Sequence, residues 1–197
     1  MGAALDASLA EVLAGAPQGF AISKQTATHG FYTKRLPLAD GRNADGSALA
    51  TSSPASGNFT LSIAFGTSKR LLGHSARNAS ATDAAMWATD LPICYVAGQG
   101  IPLTVNANYT TAGGTPGVCT VTCAAYVVAD NGTMSSVNLV GAPTVQNMTA
   151  TAADIAFTIA GATLTPTSVI LVEVTTIVHE TANAGTVTGQ VNSVRLG

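Results

Sequence analysis

Ile101-Pro-Leu-Thr-Val-Asn-Ala-Asn-Tyr109 sets apolar side chains at every second position for nine residues, with Pro102, Thr104, Asn106 and Asn108 between them. A period of two marks a strand with one face buried and one face wet. The period recurs downstream. Val118–Ala129 reads as a long strand with Cys119, Val121, Cys123, Ala125 and Val127 on one side. Ile155, Phe157 and Ile159 alternate again, Val169–Val178 is β-branched and nearly continuous, and Val187–Leu196 closes the chain. Upstream, Phe59, Leu61, Ile63 and Phe65 alternate, Leu71–His74 is a short candidate, and Thr82–Thr89 surrounds Trp87. Val137–Val140 and Val145–Ala150 are weaker. Gly113–Gly117, Asp130-Asn-Gly132 and Asn183-Ala-Gly185 supply turns.

About eight strands with turn signals between them, and no helical pattern after residue 57, predict an all-β antiparallel sandwich. Eight strands in residues 58–197 fit an eight-stranded jelly roll. An immunoglobulin-like sandwich fits less well, since Trp87 lacks the expected cysteine pair.

Residues 1–57 read differently. Leu5, Leu9, Val12 and Leu13 have helical spacing, Ser8 and Glu11 have capping-box spacing, and Gly15–Pro17 ends the pattern. From Gln18 to Gly57 no period is sustained, yet Phe20, Ile22, Phe31, Tyr32, Leu36 and Leu38 are spaced along it. Forty irregular residues suit an extended arm on a partner better than a loop inside a compact domain. The division expected is an arm over 1–57, with a short helix near its start, and a sandwich over 58–197. The partner-binding candidates are Leu9, Leu13, Phe20, Ile22, Phe31, Tyr32, Lys34 and Arg35. On this division, deleting residues 2–57 leaves a folded domain.

The composition bears on function. Charged residues make up 9% of the 197 positions and hydrophobic ones 47%. Globular proteins carry about 25% charged residues, so this surface is suited to lie against other protein. Eight scattered Lys and Arg give no nucleic-acid footprint. The longest apolar runs are far shorter than the ~20 residues of a membrane-spanning helix. No basic and apolar leader is visible at Met1-Gly-Ala-Ala. Cys94, Cys119 and Cys123 are too few for a disulfide framework, and the last two, about 13 Å apart along one strand, cannot bond each other.

The search for chemistry is mostly negative, and no enzyme, cofactor or metal is expected. His29, His74 and His179 have no ligand at metal spacing, and nucleophile-elbow, phosphate-loop and zinc motifs are absent. His179-Glu180 reads as an ordinary loop-facing pair. Glu173, alone inside an apolar strand, reads as an outward or interface position, with an ion pair between chains, for instance to Arg195, as the sharper reading. Five Asn-x-Ser/Thr triplets read as chance in an Asn-, Ser- and Thr-rich chain. Trp87 and Tyr109 are the candidate platforms of a sugar-binding face.

Residues 87–197 also resemble a domain of tailed-bacteriophage virion proteins. The likeness lies in Leu91-Pro-Ile-Cys-Tyr-Val-Ala-Gly98 leading into Ile101–Ala107, in Ala125–Val128, in Phe157–Gly161 with Leu164-Thr-Pro166, and in Val169–Val178 with Val191–Leu196. The resemblance implies a jelly-roll homotrimer that decorates and cements the capsid, with its arm on the major capsid protein or a neighbouring trimer. It implies a place on the virion capsid surface after synthesis in the host cytoplasm, and no nucleic-acid or membrane partner. A receptor- or glycan-binding module of a head or tail fibre is the alternative.

Overall fold

The computed structural model describes residues 33–51, 57–62, 70–92, 95–129 and 131–197. The strands are β1 (Lys34–Leu36), β2 (Gly57–Asn58), β3 (Thr60–Ser62), β4 (Arg70–Ala76), β5 (Ser80–Asp90), β6 (Ile101–Ala112), β7 (Thr120–Val128), β8 (Val145–Asn147), β9 (Ala153–Ile159), β10 (Val169–His179) and β11 (Thr186–Leu196). One sheet runs β3-β4-β11-β6-β9, with β1 also on β11, and the other runs β2-β5-β10-β7-β8. We call them sheet A and sheet B. Every pairing is antiparallel except the two-residue β2–β5 contact.

The alternation read from the sequence sets the core. β10 buries Ile170, Val172, Val174, Thr176 and Val178 and turns the residues between them outward. β6 does the same with Ile101, Leu103, Val105 and Ala107, and β11 with Val187, Val191, Val194 and Leu196. Each aliphatic side chain so buried contributes roughly 1.5–3 kcal/mol. The sheets approach closely at Gly189, where an added Cβ would stand 2.7 Å from Thr176 Oγ1.

The structure revises three expectations. Eleven strands are present among the described residues rather than about eight; β1 and β2 are two- or three-residue pairings with no length over which to show a period, while β3 falls in the alternation read from Phe59 onward. Val137–Val140 is not a strand; its Val140 makes a single bridge to Ile159. The third concerns the arm. Lys34, Arg35 and Leu36 pair with Leu196, Arg195 and Val194, so Lys34 and Arg35 belong to the sandwich. The Trp87 indole N–H donates to Pro37 O at 2.9 Å, Arg42 and Met86 exchange both backbone hydrogen bonds, and Leu61 N–H donates to Ala50 O. Leu36 and Leu49 are buried. Residues 33–51 thus lace the β4/β5 edge of the sandwich, where Trp87 gives them an apolar surface to cover. Leu9, Leu13, Phe20, Ile22, Phe31, Tyr32, Cys94 and the helix expected near the start lie outside the described residues.

Two outcomes follow for stability. Deleting residues 2–57 removes β1 and uncovers Trp87, and the thermal transition drops or disappears. Leu103→Ala, at a fully buried position, costs about 2–5 kcal/mol in a denaturant titration.

Candidate functional site

Titratable groups are few, and most are tied into the fold. Glu180, just past β10, is fully buried. Its two oxygens accept backbone N–H groups of Asn78 (2.7 Å), Asn183 (2.8 Å), Ala182 (3.0 Å) and Thr115 (3.2 Å). These donors come from three connections, β4–β5, β6–β7 and β10–β11. The Asn78 N–H first, then the other three against the cost of burial, hold the carboxyl down at about 2. The expected ordinary loop pair is therefore the tie of one end of the sandwich. Its neighbour His179 shares a 3.0 Å hydrogen bond with Ser80 Oγ.

Asp83 of β5 is also buried, at 1% exposure. Its Oδ1 lies 2.5 Å from His74 Nδ1, and its Oδ2 accepts the His74 backbone N–H at 3.0 Å. Burial pushes the Asp83 carboxyl up, and the His74 contacts oppose that rise. Gly73 is required beside it, since a Cβ there would meet Asp83 Oδ2 at 2.4 Å. A hollow of about 220 Å³ is lined by Tyr109, Gly117, Val118, Cys119, Asn147 and Met148, and so by no carboxylate, imidazole or amine. No group of three or more potential metal ligands occurs among the described residues. Cys119 and Cys123 are buried and free, and desolvation raises both thiols, with Glu173 adding to the rise at Cys123.

The two outer faces of the sandwich differ sharply. On sheet A a belt of polar side chains crosses β9, β6 and β11. The Arg195 guanidinium pairs with Asp154, Asn106 Nδ2 donates to Asp154 Oδ1 at 2.7 Å, and Asn192 Nδ2 donates at 3.0 Å to both Asn106 and Asn108. Asn192 reaches both because the β6–β11 register shifts between Val191 and Ser193. Farther along, Arg70 Nη1 donates to Gln190 Oε1, and Gln190 Nε2 donates to Thr110 Oγ1. These groups mostly satisfy one another.

Sheet B presents the opposite face. Reading across β5, β10 and β7, the outward rows are Asp90–Val169–Val128, Ala88–Leu171–Tyr126, Met86–Glu173–Ala124, Ala84–Thr175–Thr122 and Thr82–Ile177–Thr120. Their carboxylates are Asp90, at the end of β5, and Glu173, to which Thr175 Oγ1 donates at 3.2 Å. Beside β7 and on β8 stand Met134, Val137 and Val145, 49%, 62% and 49% exposed. A contiguous face so poor in charge marks a protein contact more often than free surface.

The candidates named from sequence distribute as follows. Trp87 is 2% exposed and packs in the core, and Tyr109 packs against it, so neither is an open platform. Glu173 faces outward as its period requires, but Arg195 is held by Asp154 on the other face of the sandwich. Lys34 Nζ donates to Asp90 O at 3.0 Å.

No protein-family model matches the chain, and no curated protein matches it. Solved structures show a loose likeness. One is the CBM22-1 xylan-binding domain of Paenibacillus barcinonensis Xyn10C, at 12% identity over 76% of this chain and 97% of that one, with a TM-score of 0.32. Another is TmCBM61 in complex with β-1,4-galactotriose, at 12% identity over 85% and 88%, with a TM-score of 0.32. Superpositions this loose carry no functional argument.

Two measurements check the buried groups. Because Glu180 titrates lower folded than unfolded, where it is near 4.5, its contribution to stability is complete above about pH 4.5 and is lost as the pH falls toward 2. Glu180→Gln therefore lowers the melting temperature by several degrees at neutral pH and flattens its fall between those limits. With a thiol reagent followed by peptide mapping, Cys119 and Cys123 stay unlabelled in native buffer and label fully in denaturant.

Proposed function

We propose that this chain is a virion structural protein that decorates and cements a bacteriophage capsid, forming homotrimers that clasp major capsid protein subunits. The observation that carries the proposal is the outer face of sheet B. Its central rows are apolar, small or hydroxyl-bearing around Glu173, with Asp90 at the end of the face, and exposed Met134, Val137 and Val145 extend the apolar surface along its edge. Such a surface gains by burial against protein. The strand order supports the jelly-roll reading. Without the short strands β1–β3, the sheets reduce to β4-β11-β6-β9 and β5-β10-β7-β8, in which the first strand lies beside the last, as a doubly wound roll requires. Three copies about one axis multiply weak single contacts, and the residues before Thr33 supply the clasp.

A second reading, a receptor- or glycan-binding module of a head or tail fibre, is favoured by one feature, the amide and guanidinium belt on the outer face of sheet A. It lacks a flat aromatic surface for a sugar ring, since Trp87 is buried.

Co-sedimentation with mature phage heads tests the first reading. The full chain binds heads, Leu171→Asp on sheet B abolishes binding, and Thr104→Asp on sheet A leaves it intact. Glycan-array binding abolished by Asn192→Ala, with no affinity for heads, would establish the second reading instead.

A further inference from the structure

We propose that Arg42 of one copy pairs with Glu173 of the next, so that the outer face of sheet B and its β5 edge form the contact between copies of this chain. The inference rests on the self-association in the reading above but not on the capsid as partner.

The argument starts from two charges that share one row. Arg42 and Met86 exchange backbone hydrogen bonds, and Met86 is the register partner of Glu173. Arg42, Met86 and Glu173 therefore stand side by side on three neighbouring chain segments. At about 4.8 Å per step, Arg42 and Glu173 are roughly 10 Å apart along the backbone. The two close pairings of opposite groups among the described residues are His74–Asp83 and Arg195–Asp154, so among those residues neither Arg42 nor Glu173 is in an ion pair. Arg42 is exposed, and Glu173 is half-buried with Thr175 as its hydrogen-bond donor.

A cation and an anion displaced by two strands on one face complement a second copy displaced by the same step. The Arg42 edge of one molecule then covers the Glu173 row of the next, a head-to-tail contact that forms a ring where the rotation between copies closes. Around both charges lie Met86, Ala84, Ala88, Ala124 and Leu171, which exclude water and strengthen the pair. The extent fits as well. Four strands at about 4.8 Å, each with up to about eleven residues at 3.3 Å, give roughly 700 Å², near the ~800 Å² per partner of a stable interface. Arg195, the cation first suggested by the sequence, points from the other sheet and is already paired with Asp154.

Charge exchange in the full-length protein decides the matter, with mass read by sedimentation equilibrium. The unmodified chain self-associates, Arg42→Glu and Glu173→Arg alone each weaken association by roughly tenfold or more, and the double exchange restores it. Mixing the two single variants regenerates mixed assemblies, which needs no double variant to fold. Arg42→Gln and Glu173→Gln, which leave the backbone pairing intact, weaken association and reduce its salt dependence. An unmodified chain that stays monomeric at every concentration reached, or a double exchange no better than the single ones, overturns the proposal. Head binding measured on the same variants separates the two readings. Rescue of self-association without any affinity for heads sinks the capsid proposal and leaves this one standing.

Discussion

The two sheets must close on each other along the inward rows of β10 and β11, and everything else in the molecule is arranged around that contact. β10 is paired over all eleven residues with β5 and over nine with β7, so its backbone is satisfied and only its side chains remain to be placed. Half go to the core. The other half are left on the outer face whatever their character, because a pleated strand cannot send two neighbours the same way. The apolar outer face of sheet B is thus a choice of residues at Leu171, Ile177 and Tyr126 and not a by-product of burying Ile170 or Val172. Asn106, Asn192 and Arg195 show that the same fold accepts a strongly polar outer face.

A sandwich closed only by apolar rows would leave its turns free. Glu180 fixes one end by giving four N–H groups a single charged acceptor. Those amides would otherwise need water or a turn of their own. At the β4/β5 side, residues 33–51 perform a comparable task with backbone pairing and with Leu36, Leu49 and the Pro37 carbonyl around Trp87. The sandwich's side edge and its loop end are thus secured by different means, one apolar and one electrostatic.

Much of this was legible from residue spacing, and the reasons for the failures are physical. Strands β6, β7, β10 and β11 are long enough for alternation to rise above chance, and Glu173 took the side its period assigned. β1 and the start of β2 are too short to carry a period, so their residues read as the end of an arm although Lys34–Leu36 form a sheet edge. Glu180 escaped notice because its partners are main-chain amides from three connections, which no side-chain motif records. The Asn192 belt depends on a register shift, and a shift is invisible in a chain read one strand at a time. The character of the two outer faces emerges only once the sheet order says which rows adjoin.

The position of β1 has a mechanical consequence. Lys34 lies opposite Leu196, Leu36 lies opposite Val194, and Thr33 Oγ1 donates to the last carbonyl of the chain at 3.0 Å. Tension applied at Thr33 along the axis of β1 runs parallel to the β1–β11 pair of strands. It loads the hydrogen bonds between them together, in shear, instead of peeling them apart one at a time. The Pro37–Trp87 contact lies next on the load path, behind the ladder. A tether attached at this point is anchored in the stiffest direction that an antiparallel sheet offers.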